Sequence, residues 1–321
     1  MKNKIILGLL VLALVLVGLY LSTQRQNTSN SISNEEARAI LQEAIPKTLT
    51  LNAYKQKAHF RLQLPASKDF LADREANLTI DGKIKFNETE QSAQQTVEVE
   101  LNEAMVESFD FGTKDSWKIK LEGIIHNQKG YLKILFVQSN FFDANKHGSI
   151  LNKWVDLGDL LTVPSDEKII ETFFEPLQEN NLIDIFATSQ PNPAESHIFQ
   201  FNGRVNKDEF ITLFKDEVLS EYPNQPERAA EVIQYLEGIE REEYPELTFL
   251  VDTEEKIVQS LVVNIFLPEQ IYQGEIEILP NVPAMNIMAS FDIQPQTPEE
   301  VIITAPKEFL TIEEASKLIG F

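Results

Sequence analysis

The sequence predicts an α+β fold in which amphipathic helices cover an antiparallel sheet, and a transmembrane helix precedes this domain. Three observations predict it. An unbroken apolar run extends from Ile5 to Leu21. Most of the chain after residue 50 alternates apolar and polar residues, as strands with one wet face do. A few segments instead repeat apolar residues at helical spacing, so helices are present to cover the sheet.

The apolar run predicts an uncleaved membrane anchor over residues 1–22. From Ile5 to Ser22 a helix would be about 27 Å long, close to the hydrocarbon thickness of a bilayer. No small-x-small cleavage site follows it, and no cysteine near Tyr20 is available for lipidation. Lys2 and Lys4 precede the run and Arg25 follows it, which favours export of everything downstream. Residues 23–33 are polar and aperiodic and predict a flexible tether, and residues 34–321 form the extracytoplasmic domain.

The exported part is strongly acidic. The first 25 residues hold three basic and no acidic side chains, which leaves 25 Lys and Arg against 50 Asp and Glu, a net charge of −25. Such a surface repels nucleic acid and anionic headgroups, so we expect no nucleic-acid partner and contact with the membrane only through the anchor. The chain has no cysteine, so neither disulfides nor thiolate chemistry is expected.

The domain opens with a predicted helix and continues as strands. Ser33 and Glu36 form a capping box before a helix that we expect to stop at Pro46. Alternation then predicts one-face strands joined by short turns, an antiparallel meander. They are expected at 58–64, 78–86, 97–101, 117–121 and 131–136, with a hairpin at 126–130 in which Gly130 suits a positive φ.

The second half mixes helices and strands. Helical spacing predicts helices after Asp166, after the Asn206 cap and from Pro226 to about Glu243, and a capping box at Thr311 and Glu314 predicts a terminal helix. The helices at 206–220 and 226–243 are amphipathic and suit the role of covers. A helical or extended piece is expected at 181–187, and strands at 197–205, 247–251, 258–267, 273–278 and 285–293.

The order of these elements resembles the LolA-like superfamily of envelope lipid carriers, in particular its LppX/LprG branch. The likeness is carried by KGYLK at 129–133, KWVDL at 153–157, HIFQFNGRVNKDEFITLF at 197–214, LTFLVDTEEKIVQSLVV at 247–263 and FDIQPQTPEEVIITAP at 291–306. It implies a strongly curved sheet, an open half-barrel, with acyl chains held between the sheet and its helices. The chain departs from the anchored members of the family in lacking the lipobox cysteine.

A lipid cavity would be lined by large apolar side chains beyond those that a core needs. Each candidate has an alternative reading as an ordinary core residue, since a large void is destabilising unless it is filled. The candidates are Trp117, Phe136, Trp154, Phe210, Phe214, Ile233 and Leu236.

The chain carries no recognisable motif for catalysis, metal binding or cofactor binding. It lacks a nucleophile elbow, a P-loop and a dinucleotide-binding glycine fingerprint. The histidines show no metal-ligand spacing, Asp156 to Asp159 lacks the pattern of a calcium loop, and the acidic run at 237–246 is typical of a solvated helix face. No cofactor and no metal are therefore expected, and the chain is not expected to be an enzyme.

The function that these observations favour is a membrane-tethered, extracytoplasmic binding protein that holds a lipid or another amphiphile without chemistry. The alternative is an envelope scaffold with a solid core that binds a protein partner. The two differ in whether the apolar face of the sheet is filled by the chain's own side chains.

Overall fold

The structure is a computed structural model of the 321-residue chain. It describes residues 32–66, 72–86, 91–108, 115–127, 129–139, 142–158, 182–192, 194–221, 226–238, 244–267 and 285–319.

The described residues form six α-helices and twelve strands, together with one short 3-10 turn at Gly148–Ile150. The helices are α1 Asn34–Leu49, α2 Glu103–Ser108, α3 Ala144–His147, α4 Lys207–Glu221, α5 Pro226–Gly238 and α6 Ile312–Ile319. The strands are β1 Ala53–Leu64, β2 Arg74–Phe86, β3 Gln91–Leu101, β4 Trp117–His126, β5 Lys129–Gln138, β6 Trp154–Gly158, β7 Ile183–Ser189, β8 Ile198–Val205, β9 Glu246–Asp252, β10 Ile257–Leu267, β11 Met285–Pro295 and β12 Leu310–Thr311.

The chain divides into two compact units. The first comprises residues 1–50 and 169–267, and the second comprises residues 51–168 and 268–321. The second unit therefore holds β1 to β6, β11 and β12, while the first unit holds α1, α4, α5 and β7 to β10.

The strands of the second unit lie in the order β12, β6, β5, β4, β3, β2, β1, β11. Every neighbouring pair is antiparallel except β12 and β6, which are parallel. Among the described strands of this unit, the two outermost are β12 and β11, which do not pair with each other, so these strands form an open sheet. The predicted antiparallel meander is confirmed.

The hairpin between β4 and β5 is tighter than the sequence predicts. β4 ends at His126 and β5 begins at Lys129, so the loop is two residues long. Asn127, with a φ of 50°, takes the left-handed conformation, whereas Gly130 is a strand residue opposite Ile125. Asn tolerates this conformation because its short side chain bonds locally, so a glycine is not needed there.

The four strands of the first unit lie in the order β10, β9, β8, β7, and all are antiparallel. One face of this sheet is a filled core. Phe201, Leu247, Phe249, Val251 and Val258 each expose 0% of their surface. The helix α1 contacts β7 and β10 and contributes its own fully buried side chains, so α1 covers strands of this unit.

The helix α1 begins as predicted and ends later. The Ser33 side chain accepts a hydrogen bond from the Glu36 backbone N–H at 3.2 Å, which confirms the N-cap. The predicted end at Pro46 is wrong, because the helix continues to Leu49 with Pro46 inside it. Thr48 stabilises this last turn, since its buried Oγ1 donates to the Ala44 carbonyl at 2.7 Å and accepts from the Val258 N–H at 2.9 Å.

Replacing Thr48 with valine should destabilise the protein by about 1–3 kcal/mol. The Val258 N–H would lose its acceptor at a buried position, and an unsatisfied buried donor costs about that much. Thr50→Val is the matched control, because the Thr50 hydroxyl is exposed and donates to the Lys47 carbonyl within the same helix end. Urea unfolding midpoints measure both changes, and equal losses in the two variants would contradict the role assigned to Thr48.

The other caps and most of the second half agree with the sequence. The Asn206 side chain accepts from the N–H groups of Asp208 and Glu209 at the start of α4, and Thr311 with Glu314 forms the capping box of α6. The ambiguous piece at 181–187 is a strand, β7, from residue 183 onward. The structure describes α5 only as far as Gly238.

Several predictions concern residues outside the described ranges. These are the anchor at 1–22, most of the tether, the helix after Asp166 and the strand at 273–278. Among the helices that the structure does describe, none combines the length and the apolar character needed to cross a bilayer.

Candidate functional site

The second unit presents one apolar sheet face. Residues that lie directly opposite each other on neighbouring strands point to the same side of a sheet. The register aligns Phe60, Leu78, Val99 and Ile119 across β1 to β4. Two residues further along, it aligns Leu62, Ala76, Leu101 and Trp117. We call this surface the apolar face; in the other direction it continues through Ala58, Ile80, Val97 and Leu121.

The large side chains of the apolar face are only half-buried. This holds for Phe60, Leu62, Leu78, Ile80, Val97, Val99, Leu101, Trp117, Ile119 and Leu121. In the first unit, the corresponding positions of β8, β9 and β10 are fully buried. The described strands therefore form one filled sheet core and one apolar sheet face that retains solvent exposure, and large exposed apolar surfaces mark binding sites.

The side of β11 that continues the apolar face is better packed. Ile287, Ala289 and Ile293 are buried, and the Phe291 ring meets the Phe60 ring edge to face at a centroid distance of 5.2 Å. Such aromatic pairs add stability beyond the area they bury. The apolar face is thus bordered on the β11 side by an aromatic contact.

The opposite face of the same strands is polar and ion-paired. Lys118 Nζ lies 2.6 Å from a Glu98 carboxylate oxygen and also pairs with Glu100, and Lys120 Nζ lies 2.9 Å from Glu98. Hydrogen bonds from Lys118 and then Lys120 lower the pKa of Glu98 to about 2. On β2, hydrogen bonds from Arg61 and Asn77 likewise lower the pKa of Glu75 to about 2. These carboxylates stay charged at physiological pH, so this face favours water over an apolar ligand.

One end of the polar face carries a small second core. Ala53, Ile124, Tyr131, Val301 and Ile303 pack together as buried residues, with Trp154 and Ala305 against them. The extended segment at 301–305 covers this cluster with Val301 and Ile303, which are both buried.

The register places the three cavity candidates of the second unit on different faces of the sheet. Trp117 lies opposite Leu101 on the apolar face. Phe136 lies opposite Lys120 on the polar face and is 43% exposed. Trp154 lies opposite Lys133, whose Nζ sits 4.3 Å from the centroid of the tryptophan ring. The alternation in β5 does not reveal the position of Phe136, because a bulge between Lys120 and Leu121 shifts the pairing of β4 with β5 by one residue.

The other four candidates belong to the first unit, on α4 and α5. Phe210 is buried and meets the Tyr244 ring edge to face at 5.8 Å, and Ile233 is buried as well. Phe214 and Leu236 lie on the same helices, but their side chains are outside the described part of the chain. The helices α4 and α5 contact each other. A cavity role for the seven candidates stays a prediction.

Two glutamines lie on the apolar face and were not among the site residues predicted from the sequence. Gln56 on β1 and Gln95 on β3 both lie opposite Gly82 of β2. The signal was present, because both glutamines occupy positions in their strands where the alternation calls for an apolar residue. Only the register reveals that they share one row with the glycine.

The described residues contain one pair that resembles a nucleophile and its base. Ser92 Oγ lies 3.0 Å from His126 Nδ1, and Asn127 Nδ2 lies 3.2 Å from His126 Nε2. Ser92 is only 2% exposed, so a substrate carbonyl has no access to its hydroxyl. We interpret the pair as a structural contact between β3 and β4. Within the described ranges, no group of three or more His, Cys, Asp or Glu residues is placed to hold a metal ion.

Comparisons with known proteins give structural likenesses only. No family model matches the chain, and no curated protein matches its sequence. The crystal structure of LprF from Mycobacterium bovis is similar over 87% of this chain and 99% of its own, with 11% identity and a TM-score of 0.38. A DUF1329 family protein from Desulfovibrio piger is similar over 82% of this chain and 92% of its own, with 7% identity and a TM-score of 0.20.

LprF is a lipoprotein of the LppX/LprG family, the branch that the sequence resembles. Both TM-scores are low, so neither likeness supports a conclusion about function. The functional proposal rests instead on the placement and burial of this chain's own residues.

Proposed function

We propose that this chain is a non-catalytic binding protein that holds the hydrocarbon part of a lipid or similar amphiphile against its apolar face. Trp117, Leu78, Val99 and Ile119 are central contacts, since the register places them together and each is half-buried. Each CH2 group that leaves water on binding contributes about 0.8 kcal/mol, which is sufficient to drive association without a charged anchor.

The observation that carries the proposal is the contrast between the two sheets. The first unit shows that this chain can fill a sheet face completely, with side chains of 0% exposure on three neighbouring strands. On the apolar face of the second unit, equally large residues keep part of their surface exposed. A ligand that covers them would supply the missing contacts.

The proposal includes attachment to a membrane. The apolar run at residues 5–21 would hold the chain in the bilayer by a single helix, with the binding domain on the extracytoplasmic side. A curved half-barrel with helical covers, as the family resemblance implies, would suit such a site. A fixed anchor favours handling lipid near one membrane over shuttling between two.

A scaffold that binds a protein partner remains the alternative function. The filled core of the first unit agrees with it, because a solid unit is what a scaffold needs. The half-buried apolar face of the second unit favours the lipid proposal over a solid-core scaffold, because the described side chains of this face remain partly exposed.

The test is to find lipid bound to the purified protein. The full chain is extracted into an amphipathic polymer instead of detergent, and small molecules are recovered with organic solvent and identified by mass spectrometry. The control is an unrelated protein with one transmembrane helix, solubilised in the same polymer. We expect this chain to carry about one lipid molecule per chain more than the control protein does. A lipid content equal to that of the control protein would contradict the proposal.

A further inference from the structure

One row of residues interrupts the apolar face. Across the strands, the register aligns Ile293, Gln56, Gly82, Gln95, Gly123 and Leu132, from β11 to β5. The next row on one side is Ala58, Ile80, Val97 and Leu121, and on the other side it is Tyr54, Ile84, Ala93 and Ile125. Two amide side chains therefore stand in an apolar surface, and a glycine flanks each of them.

The two glycines have different surroundings. A Cβ atom on Gly82 would lie 2.5 Å from the Gln94 carbonyl oxygen and 2.8 Å from Gln95 Cγ, so the Gln95 side chain occupies the space above Gly82. Gln95 thus leans toward β1, the strand that carries Gln56. Among the described residues, a Cβ atom on Gly123 would meet only the Tyr131 carbonyl oxygen, at 3.9 Å, so no described side chain occupies the space above Gly123.

Both amides lack a partner among the described residues. Within the described part of the chain, Gln56 and Gln95 make no hydrogen bond through their side chains, although both are half-buried. By contrast, Gln94 on the polar face donates to Glu122 at 2.8 Å. Covering Gln56 and Gln95 with a hydrocarbon chain alone would remove water from both amides without replacement, which is costly.

We infer that Gln56 and Gln95 recognise the uncharged ester group of the bound amphiphile, whose hydrocarbon chain lies along β2 to β4 toward Trp117. This inference rests on the proposed function and adds a chemical class of ligand to it. An amide NH2 group donates to an ester carbonyl oxygen, so the amides bound to an ester keep their hydrogen bonds. The space above Gly123, which no described side chain occupies, accommodates the ester and the group attached to it.

The electrostatics of the face favour an ester over an ionised head group. Among the described residues of β1 to β5 and β11, the one charged side chain that the register assigns to this face is Arg74. Arg74 lies eight residues from Gly82 along β2, about 26 Å at 3.3 Å per residue. An anion at the glutamine row would lose water without gaining a cation, in a domain whose net charge is strongly negative.

The experiment compares two ligands that differ in one carbonyl group. Glycerol monopalmitate is an ester, and hexadecyl glycerol ether has a CH2 group in place of the carbonyl. Each displaces a pyrenyl alkane, a fluorescent hydrocarbon without an ester, from the full chain in an amphipathic polymer. We expect the native chain to bind the ester about fivefold to tenfold more tightly than the ether, as for two gained hydrogen bonds at the low end of their usual net contribution.

Three variants locate the preference. In Gln56→Met and Gln95→Met, the preference for the ester should fall to about twofold to threefold, because one of the two donors remains, while the affinity for the ether stays within about twofold of the native value. The unchanged ether affinity also shows that these variants are folded. Gln94→Met is the matched control, because Gln94 is adjacent in sequence but lies on the polar face, and it should keep the full ester preference.

The possible results distinguish this inference from the proposed function. Equal binding of ester and ether by the native chain, or an ester preference that stays at its native value in both methionine variants, would overturn the assignment of the glutamines and leave lipid binding intact. If the native chain binds neither the ligands nor the pyrenyl alkane, the proposed function itself is wrong.

Discussion

Replacing Leu78 with aspartate should remove bound lipid from the chain and reduce the affinity for the pyrenyl alkane at least about a hundredfold. Leu78 lies between Phe60 and Val99 in the middle of the apolar face. A carboxylate there would have to lose its water when a hydrocarbon chain covers it, and no cation is aligned with it in the register of β1 to β4. An unpaired charge or polar group costs several kcal/mol when it is buried, and about 2.7 kcal/mol already corresponds to a hundredfold in affinity.

The Leu78→Asp variant should remain folded because Leu78 is half-buried in the unliganded structure. We expect a loss of unfolding free energy of about 1–2 kcal/mol, which is less than the loss at a fully buried leucine. The matched control is Gln294→Asp. Gln294 is exposed and lies opposite Lys55 on the polar face of the same unit. The Gln294→Asp substitution therefore adds the same charge to this unit without touching the apolar face.

The lipid content of the purified chain, with unfolding curves for each variant, measures this prediction. Native lipid content in Leu78→Asp would show that the ligand lies elsewhere. Loss of lipid in Gln294→Asp as well would show a general charge effect in place of a site.

Replacing Gly82 with valine should destabilise the chain by about 3 kcal/mol. The added Cβ atom alone would lie 2.5 Å from the backbone oxygen of Gln94, and backbone in the middle of a sheet cannot move aside without breaking the ladder. Overpacking of this kind costs about 1–3 kcal/mol, and the two further carbon atoms of valine place this site at the upper end.

Gly123→Val is the matched control for this prediction. Gly123 lies on the same face and also opposite Gln95, but among the described residues only the Tyr131 carbonyl oxygen, at 3.9 Å, comes near its Cβ position. Valine suits a strand better than glycine does, so we expect stability to be unchanged or to rise by up to about 1 kcal/mol. Urea midpoints compare the two variants. Equal stabilities would mean that Gln94 and Gln95 move freely away from Gly82, against the tight packing of this row.

The alternation of apolar and polar residues predicted the strands well. Phe60, Leu78, Val99 and Ile119 were each placed in a one-face strand, and the register confirms that they share a face. This succeeds because the side-chain period of a strand is two, so a local pattern fixes which residues share a side. The N-caps at Ser33, Asn206 and Thr311 were predictable for the same reason, since a cap depends on residues at most three positions apart.

Two errors had causes outside the local pattern. The end of α1 was placed at Pro46, whereas a hydrogen bond between Thr48 and a strand more than 200 residues away stabilises another turn. The positive φ of the hairpin was assigned to Gly130, whereas the pairing of β4 with β5 places the turn at Asn127. In each case a distant or cross-strand contact, which the sequence does not display, decided the outcome.

The choice of cavity residues shows the same limit. Trp117, Phe136 and Trp154 look alike in the sequence as large aromatic residues in strands. A single bulge and the pairing of β5 with β6 place the last two beside Lys120 and Lys133, on the polar face. Gln56 and Gln95 were passed over for the converse reason, because their significance depends on a shared position opposite Gly82.

The sequence alone determined the antiparallel strands, the helix starts, the strongly acidic composition and the apolar run at the amino terminus, all of which depend on neighbours along the chain. The tertiary structure decided which strands pair, which residues form one row, and which of two similar apolar sheet faces is filled by side chains. Burial and register depend on residues brought together by folding, and a pattern of apolar residues is the same whether protein or ligand covers it.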